Sequence, residues 1–201
     1  MDERELRKLF ERANANLLTH DKSLLDRQVS ERTLCGALML WLHEELAEES
    51  LSGKFQGYYV DVEYNRNGGS VKTCKRNDEK IITINCDLII HSRGEKGLNN
   101  SDDNLIAIEM KKSTRTQTEK QGDRERLMAL TKDYEEGGIY ANGDGADPEY
   151  VCGYALGVFY EIDYAKEMVK VEYYKKGKMF KTTFFPFSAF CKETEQIHAA
   201  Q

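Results

Sequence analysis

Three ionisable residues near the middle of the chain have the types and spacing to do chemistry: Asp87, Glu109 and Lys111. They lie in two short isoleucine-rich runs, Cys86-Asp87-Leu88-Ile89-Ile90 and Asn104-Leu105-Ile106-Ala107-Ile108-Glu109-Met110-Lys111-Lys112, separated by a polar loop carrying Gly94, Gly97, Asn99 and Asn100. Runs too brief for helices and bounded by turn residues read as neighbouring strands. An antiparallel hairpin folded about Leu98 sets Asp87 opposite Glu109, and the two-residue period of a strand puts Glu109 and Lys111 on one face. Apolar residues on both faces predict central, buried strands, where an isolated charge is costly. The two carboxylates and the ammonium must therefore pair or hold a metal. A structural ion pair and a cation site both remain open at this point, because Glu-x-Lys alone is common on exposed strands.

An Asp ending one strand, followed by Glu-x-Lys on the next, resembles the PD-(D/E)XK nuclease superfamily, with Cys86 standing where that pattern carries proline. Other segments resemble one bacterial branch of it in the same order. Glu31-Arg32 to Leu38 fits a helix of the form Glu-Arg-x-x-x-x-x-Leu, and Val60-Asp61-Val62-Glu63-Tyr64-Asn65-Arg66 fits a strand, so that the match spans roughly residues 28 to 135. The resemblance implies an α/β, restriction-endonuclease-like core of three layers, a central mixed sheet flanked by helices. It also implies Mg²⁺, with Mn²⁺ as a substitute, held by Asp87, Glu109, the Met110 carbonyl and Glu31. The implied reaction is phosphodiester hydrolysis in nucleic acid, with DNA as the expected substrate. Catalysis falls to Asp87, Glu109, Lys111 and Glu31, with Lys111 positioning or deprotonating the attacking water. The alternative is a nucleic-acid-binding or assembly module that keeps the nuclease fold without cutting.

These residues need elements to carry them. Asp2 can cap a helix over 2–18 with an apolar stripe of Leu6, Leu9, Phe10, Ala13 and Leu17. Ser30 reads as the cap of a second helix running to about Glu49, with Leu34, Leu38, Trp41, Leu42 and Leu46 inward. Glu31 begins that helix, either as a third carboxylate reaching the site from the side or as a first-turn acid answering the helix dipole. Tyr58 to Tyr64 reads as a strand whose Asp61 and Glu63 are either exposed-face polar residues or extensions of the acidic site. A polar insert, Val71 to Glu79, precedes a strand over Ile81 to Ile90.

After Lys112 the spacing predicts a helix from about Thr118 to Glu136 with Leu127, Leu130 and Tyr134 inward. Lys111, Lys112, Arg115, Lys120, Arg124, Arg126 and Lys132 make this segment basic. Lys112, Arg115, Lys120 and Arg124 are the candidate phosphate contacts, although interleaved Glu119, Asp123 and Glu125 fit an ion-paired solvent face equally well. A flexible Gly- and Asp-rich loop from Ala141 to Pro148 lacks the ligand order of a calcium loop. Val151 to Ile162 is expected to be a strand parallel to its neighbour after the helical crossover. Met168 to Tyr174 and Met179 to Phe185 form a final hairpin, and the tail from Ser188 a short helix. The chain thus reads as one domain over 1–201, with a core of about 28–162 and the helix 2–18 and hairpin 168–185 as additions.

The 201 residues, 40% hydrophobic and 32% charged, suit a globular protein with one substantial core and include no apolar run of membrane-spanning length. Five cysteines, Cys35, Cys74, Cys86, Cys152 and Cys191, form no Cys-x-x-Cys pair, which argues against a disulfide framework or zinc site and for a reducing cytoplasm. The charged start of the chain, Met1-Asp2-Glu3-Arg4-Glu5, gives no sign of a secretory leader. A net charge of -6 argues against a broadly cationic coat and against strong non-specific duplex binding, and says nothing about a local cleft. Cutting two strands with one-site subunits would call for a homodimer.

Overall fold

The computed structural model describes residues 2–63, 66–67, 70–71, 73–75, 81–83, 86–96, 102–133 and 152–188. The tip of the central hairpin (Gly97 to Asn100), Tyr64, Tyr134, the Ala141–Pro148 loop and the tail beyond Ser188 lie outside the described residues. The helices are α1 (Glu3–His20), α2 (Lys22–Asp26), α3 (Glu31–Ser50) and α4 (Gln117–Leu130). The strands are β1 (Tyr59–Val62), β2 (Arg66–Asn67), β3 (Ser70–Val71), β4 (Thr73–Lys75), β5 (Ile81–Thr83), β6 (Leu88–His91), β7 (Asn104–Lys112), β8 (Leu156–Asp163), β9 (Met168–Lys175) and β10 (Lys178–Pro186).

Local chemistry accounts for the helix starts. Asp2 accepts from the Arg4 amide, Ser30 from Thr33, and Thr116 with Glu119 closes a reciprocal capping box at the head of α4. The stripes expected for α1 and α3 are buried, except that Trp41 is only partly covered. The turn before α3 passes through Gln28 at φ 52, which redirects the chain after the short α2, an element that the residue pattern did not suggest.

Six strands form one mixed sheet in the order β1-β6-β7-β8-β9-β10. Every neighbouring pair is antiparallel except β7 and β8, which run parallel because α4 carries the chain back across the sheet between them. The fold is therefore α/β, a mixed sheet flanked by helices. Even-numbered residues of β7 and β8, among them Ile106, Ile108, Met110, Val158 and Tyr160, join the α1 and α3 core. Odd-numbered Ala107 and Phe159 pack with Leu127 and Leu130 of α4 on the opposite face. The long strand expected over Ile81 to Ile90 is divided. β5 pairs with β4 as a separate ribbon, the chain bends at Asp87, and only Leu88 onward enters the main sheet.

Gly157 has a steric reason. A Cβ there would meet Thr131 Cγ2 at 2.9 Å and Tyr174 Cβ at 3.0 Å, so its missing side chain lets the end of α4 sit close on β8. No described helix is long and apolar enough to cross a membrane.

Candidate active site

The register of the central hairpin is the expected one: Leu88 faces Ile108, Ile89 faces Ala107 and Ile90 faces Ile106, before a bulge shifts His91 onto Asn104. Asp87 lies one residue before β6, beside Glu109 on β7. Because the chain bends there, its side chain does not stand off the pleat. Its Oδ2 instead accepts the Met110 amide at 2.8 Å. Burial and the nearby Asp123 outweigh Lys111 and that amide, and hold the Asp87 carboxyl above its ordinary pKa.

Lys111 projects to the α4 face, where three oxygens surround its ammonium. Nζ donates to the Met110 carbonyl at 3.3 Å, lies 3.3 Å from Asp123 Oδ2 and 3.7 Å from Asp87 Oδ2. Burial opposes its charge, but Asp87, Asp123 and Glu109 prevail and raise the Lys111 pKa. The groups that raise it are the same carboxylates that would face a cation, so positioning and deprotonation of water both stay open to Lys111.

Glu109 is 1% exposed and is bound by Arg126 of α4, Nε to Oε1, at 2.5 Å. Burial raises its pKa to about 7 against the pull of Arg126, with Asp87 and Asp123 adding to the rise. Arg126 reaches Asp123 as well, so one guanidinium bridges two carboxylates. Behind them Cys86 is buried, and its thiol is driven well above the ordinary range by burial and by the charge of Glu109.

Glu31 lies to one side and is occupied. Its Oε1 accepts the Lys112 amide at 2.9 Å, and Arg115 grips both oxygens at 3.0 Å. Despite partial burial, these donors lower its pKa. Glu31 thus ties α3 to the end of β7, beside a cleft of about 170 Å³ lined by Glu31, Arg32, Cys35, Val62, Glu63 and Asp87. Glu63 ends β1 at φ 48 and pairs with Arg32, and Asp61 accepts from His91 and Arg93.

Much of the basic segment is committed to partners within the chain, although Arg115 stays 49% exposed beside Glu31. Lys120 is 4% exposed and bonds to Glu161 at 2.9 Å and to the Ser113 carbonyl. Arg124 binds Glu172 through both Nε and Nη2 and stacks on Phe159. Lys112 donates to the Gln28 carbonyl and lies over the Tyr164 ring. The acids that receive Lys120 and Arg124 come from β8 and β9, far along the chain, so the helix alone could not disclose them. Asp123 and Arg126 carry roles that the sequence reading did not give them. The available signal was the inward stripe, because Asp123 precedes Leu127 by four residues.

Hard oxygen ligands of the kind Mg²⁺ prefers are therefore gathered at one point, from Asp87, Asp123 and the Met110 carbonyl, and a cation is already there in the form of the Lys111 ammonium. Among the described residues, no three Asp, Glu, His or Cys side chains come together to hold a metal. The donor set fits a hard divalent ion only with the backbone carbonyl included, and only if Lys111 moves aside. No family model and no characterised protein matches the chain.

Proposed function

We propose that the protein hydrolyses phosphodiester bonds of nucleic acid, with DNA as the expected substrate, in a Mg²⁺-dependent reaction at the ends of β6 and β7. The observation that carries this reading is the cluster of Asp87, Asp123 and Met110 oxygens around Lys111 Nζ, next to Glu109. Its support in the fold is the order of elements: a helix, three antiparallel strands, a second helix and a parallel fourth strand. It is also the arrangement that the resemblance to PD-(D/E)XK nucleases implies.

Asp87 and the Met110 carbonyl would hold the ion, with Glu109 behind them. A bound Mg²⁺ supplies positive charge to the crowded phosphate oxygens. Lys111 would orient or deprotonate the attacking water and place positive charge near the charge developing on the substrate. Glu31 would fix the end of β7 through Lys112 and Arg115. Cleavage of both strands of a duplex would need two copies of the chain.

The test is nicking of a supercoiled plasmid by purified protein in Mg²⁺ and in EDTA, beside Asp87→Asn and Lys111→Ala preparations. Nicking confined to the wild type in Mg²⁺ supports the reading. Equal nicking by all three preparations, or none by any, removes it.

One observation favours a second reading, an assembly module without cutting. Glu109 is neutralised by Arg126 rather than left for a cation, and Arg115, Lys120 and Arg124 are committed within the chain. Calorimetric titration with Mn²⁺ on wild type and Glu109→Ala separates the two, since a structural Glu109 predicts no change in metal heat.

A further inference from the structure

The Lys111 ammonium lies where a cation would bind, and Asp123 is the oxygen donor least satisfied without one. Asp123 is 5% exposed. Its Oδ1 is taken by Arg126, while its buried Oδ2 has no donor in hydrogen-bonding geometry and only the Lys111 ammonium beside it, at 3.3 Å. A buried carboxylate oxygen met by one loosely placed charge is poorly satisfied. Here it is aimed at the one point on which Asp87 Oδ2 and the Met110 carbonyl also converge.

We propose that Asp123 is a metal-binding carboxylate of this site and that Lys111 and a divalent cation are alternative occupants of the same oxygen cage, the ammonium holding it until the metal displaces it. The proposal rests on the metal-dependent reading above and adds to it a ligand from α4 and an exchange of cations.

The geometry gives each residue a distinct duty. A +1 ammonium answers part of the charge of the half-buried Asp87 and the buried Asp123 and keeps the two carboxylates together when no metal is bound. It satisfies them imperfectly, at 3.3 to 3.7 Å, which leaves room for a smaller ion of higher charge to do better. Arg126 remains on Glu109 and on Asp123 Oδ1, so α4 need not move for Oδ2 to serve as a ligand. Lys111 is not sealed in: its side chain is 19% exposed, so an ammonium released from these oxygens can move toward solvent.

The experiment is Mn²⁺ binding by the full chain, followed by calorimetry and by the electron paramagnetic resonance of bound Mn²⁺, with no nucleic acid present. Lys111→Met removes the competing ammonium while keeping an apolar stem, and is expected to bind Mn²⁺ about tenfold more tightly than the wild type. Asp123→Asn is expected to bind about ten- to a hundredfold more weakly. Lys111→Met affinity equal to or below that of the wild type overturns the exchange. Wild-type affinity in Asp123→Asn overturns the ligand. If Asp123→Asn does not fold, the Lys111→Met comparison alone decides. The expected Mn²⁺ pattern without plasmid nicking would retire the nuclease reading and leave this one standing. Nicking with unaltered Mn²⁺ affinity in both variants would do the reverse.

Discussion

Glu109 Oε1 and Arg126 Nε lie 2.5 Å apart in a place where Glu109 meets almost no solvent. Arg126 is the main group opposing the rise of the Glu109 pKa, so its removal leaves a buried carboxylate that must take up a proton. Arg126→Met should destabilise the fold by about 3–5 kcal/mol above neutral pH. The loss should shrink on acidification, because a raised carboxyl pKa favours the folded state at low pH and costs stability as pH rises through it. Urea unfolding at pH 5.5 and 8.5 checks this, and a pH-independent loss would contradict it.

Glu172 behaves oppositely. Burial tends to raise its pKa, but Arg124, Lys170 and Tyr174 overcome this and hold it down to about 2. A lowered pKa contributes stability above the unfolded value near 4.5 and loses it as pH falls toward 2, a contribution of roughly 3 kcal/mol. Thermal melts from pH 6 to pH 2 should show that acid loss in the wild type and a flatter profile in Glu172→Gln.

Glu31 tests the division between structure and metal binding. Both its oxygens are already engaged by Arg115 and the Lys112 amide. Glu31→Gln should cost about 1–2 kcal/mol in urea unfolding while leaving Mn²⁺ affinity nearly unchanged. A large fall in affinity would restore the ligand role implied by the resemblance.

Gly157→Ala carries a steric prediction. The new Cβ would press on Thr131 Cγ2 and on Tyr174 Cβ, and the latter belongs to a paired strand and cannot easily yield. A loss of about 1–3 kcal/mol is expected in urea unfolding.

The central hairpin was legible because its pattern is local. Asp87 and Glu109 lie equidistant from Leu98, and alternation fixes the face of Glu109 and Lys111. The leucine stripes of α1 and α3 were equally plain. The face of α4 was not. Lys120, Asp123, Leu127 and Leu130 form one inward row in which half the members are charged, and charge on a helix ordinarily marks the solvent side. The charged members of that row are met by Glu161 of β8, which receives Lys120, and by Lys111 of β7, which faces Asp123, partnerships that have no short-range signature. The break before β6 was hidden too, because Ile81 to Ile90 offers apolar residues on both sides of the bend.

The two-sided character of β7 has a consequence for how the chain reaches its native pairing. If the strand slid by one residue against β6 or β8, Glu109 and Lys111 would be thrust among the leucines of α3, and Met110 would intrude between Arg126 and Asp123. A hairpin misaligned by one residue therefore cannot bury its apolar core and pair its charges at once, and the ionic residues of β7 penalise that slip.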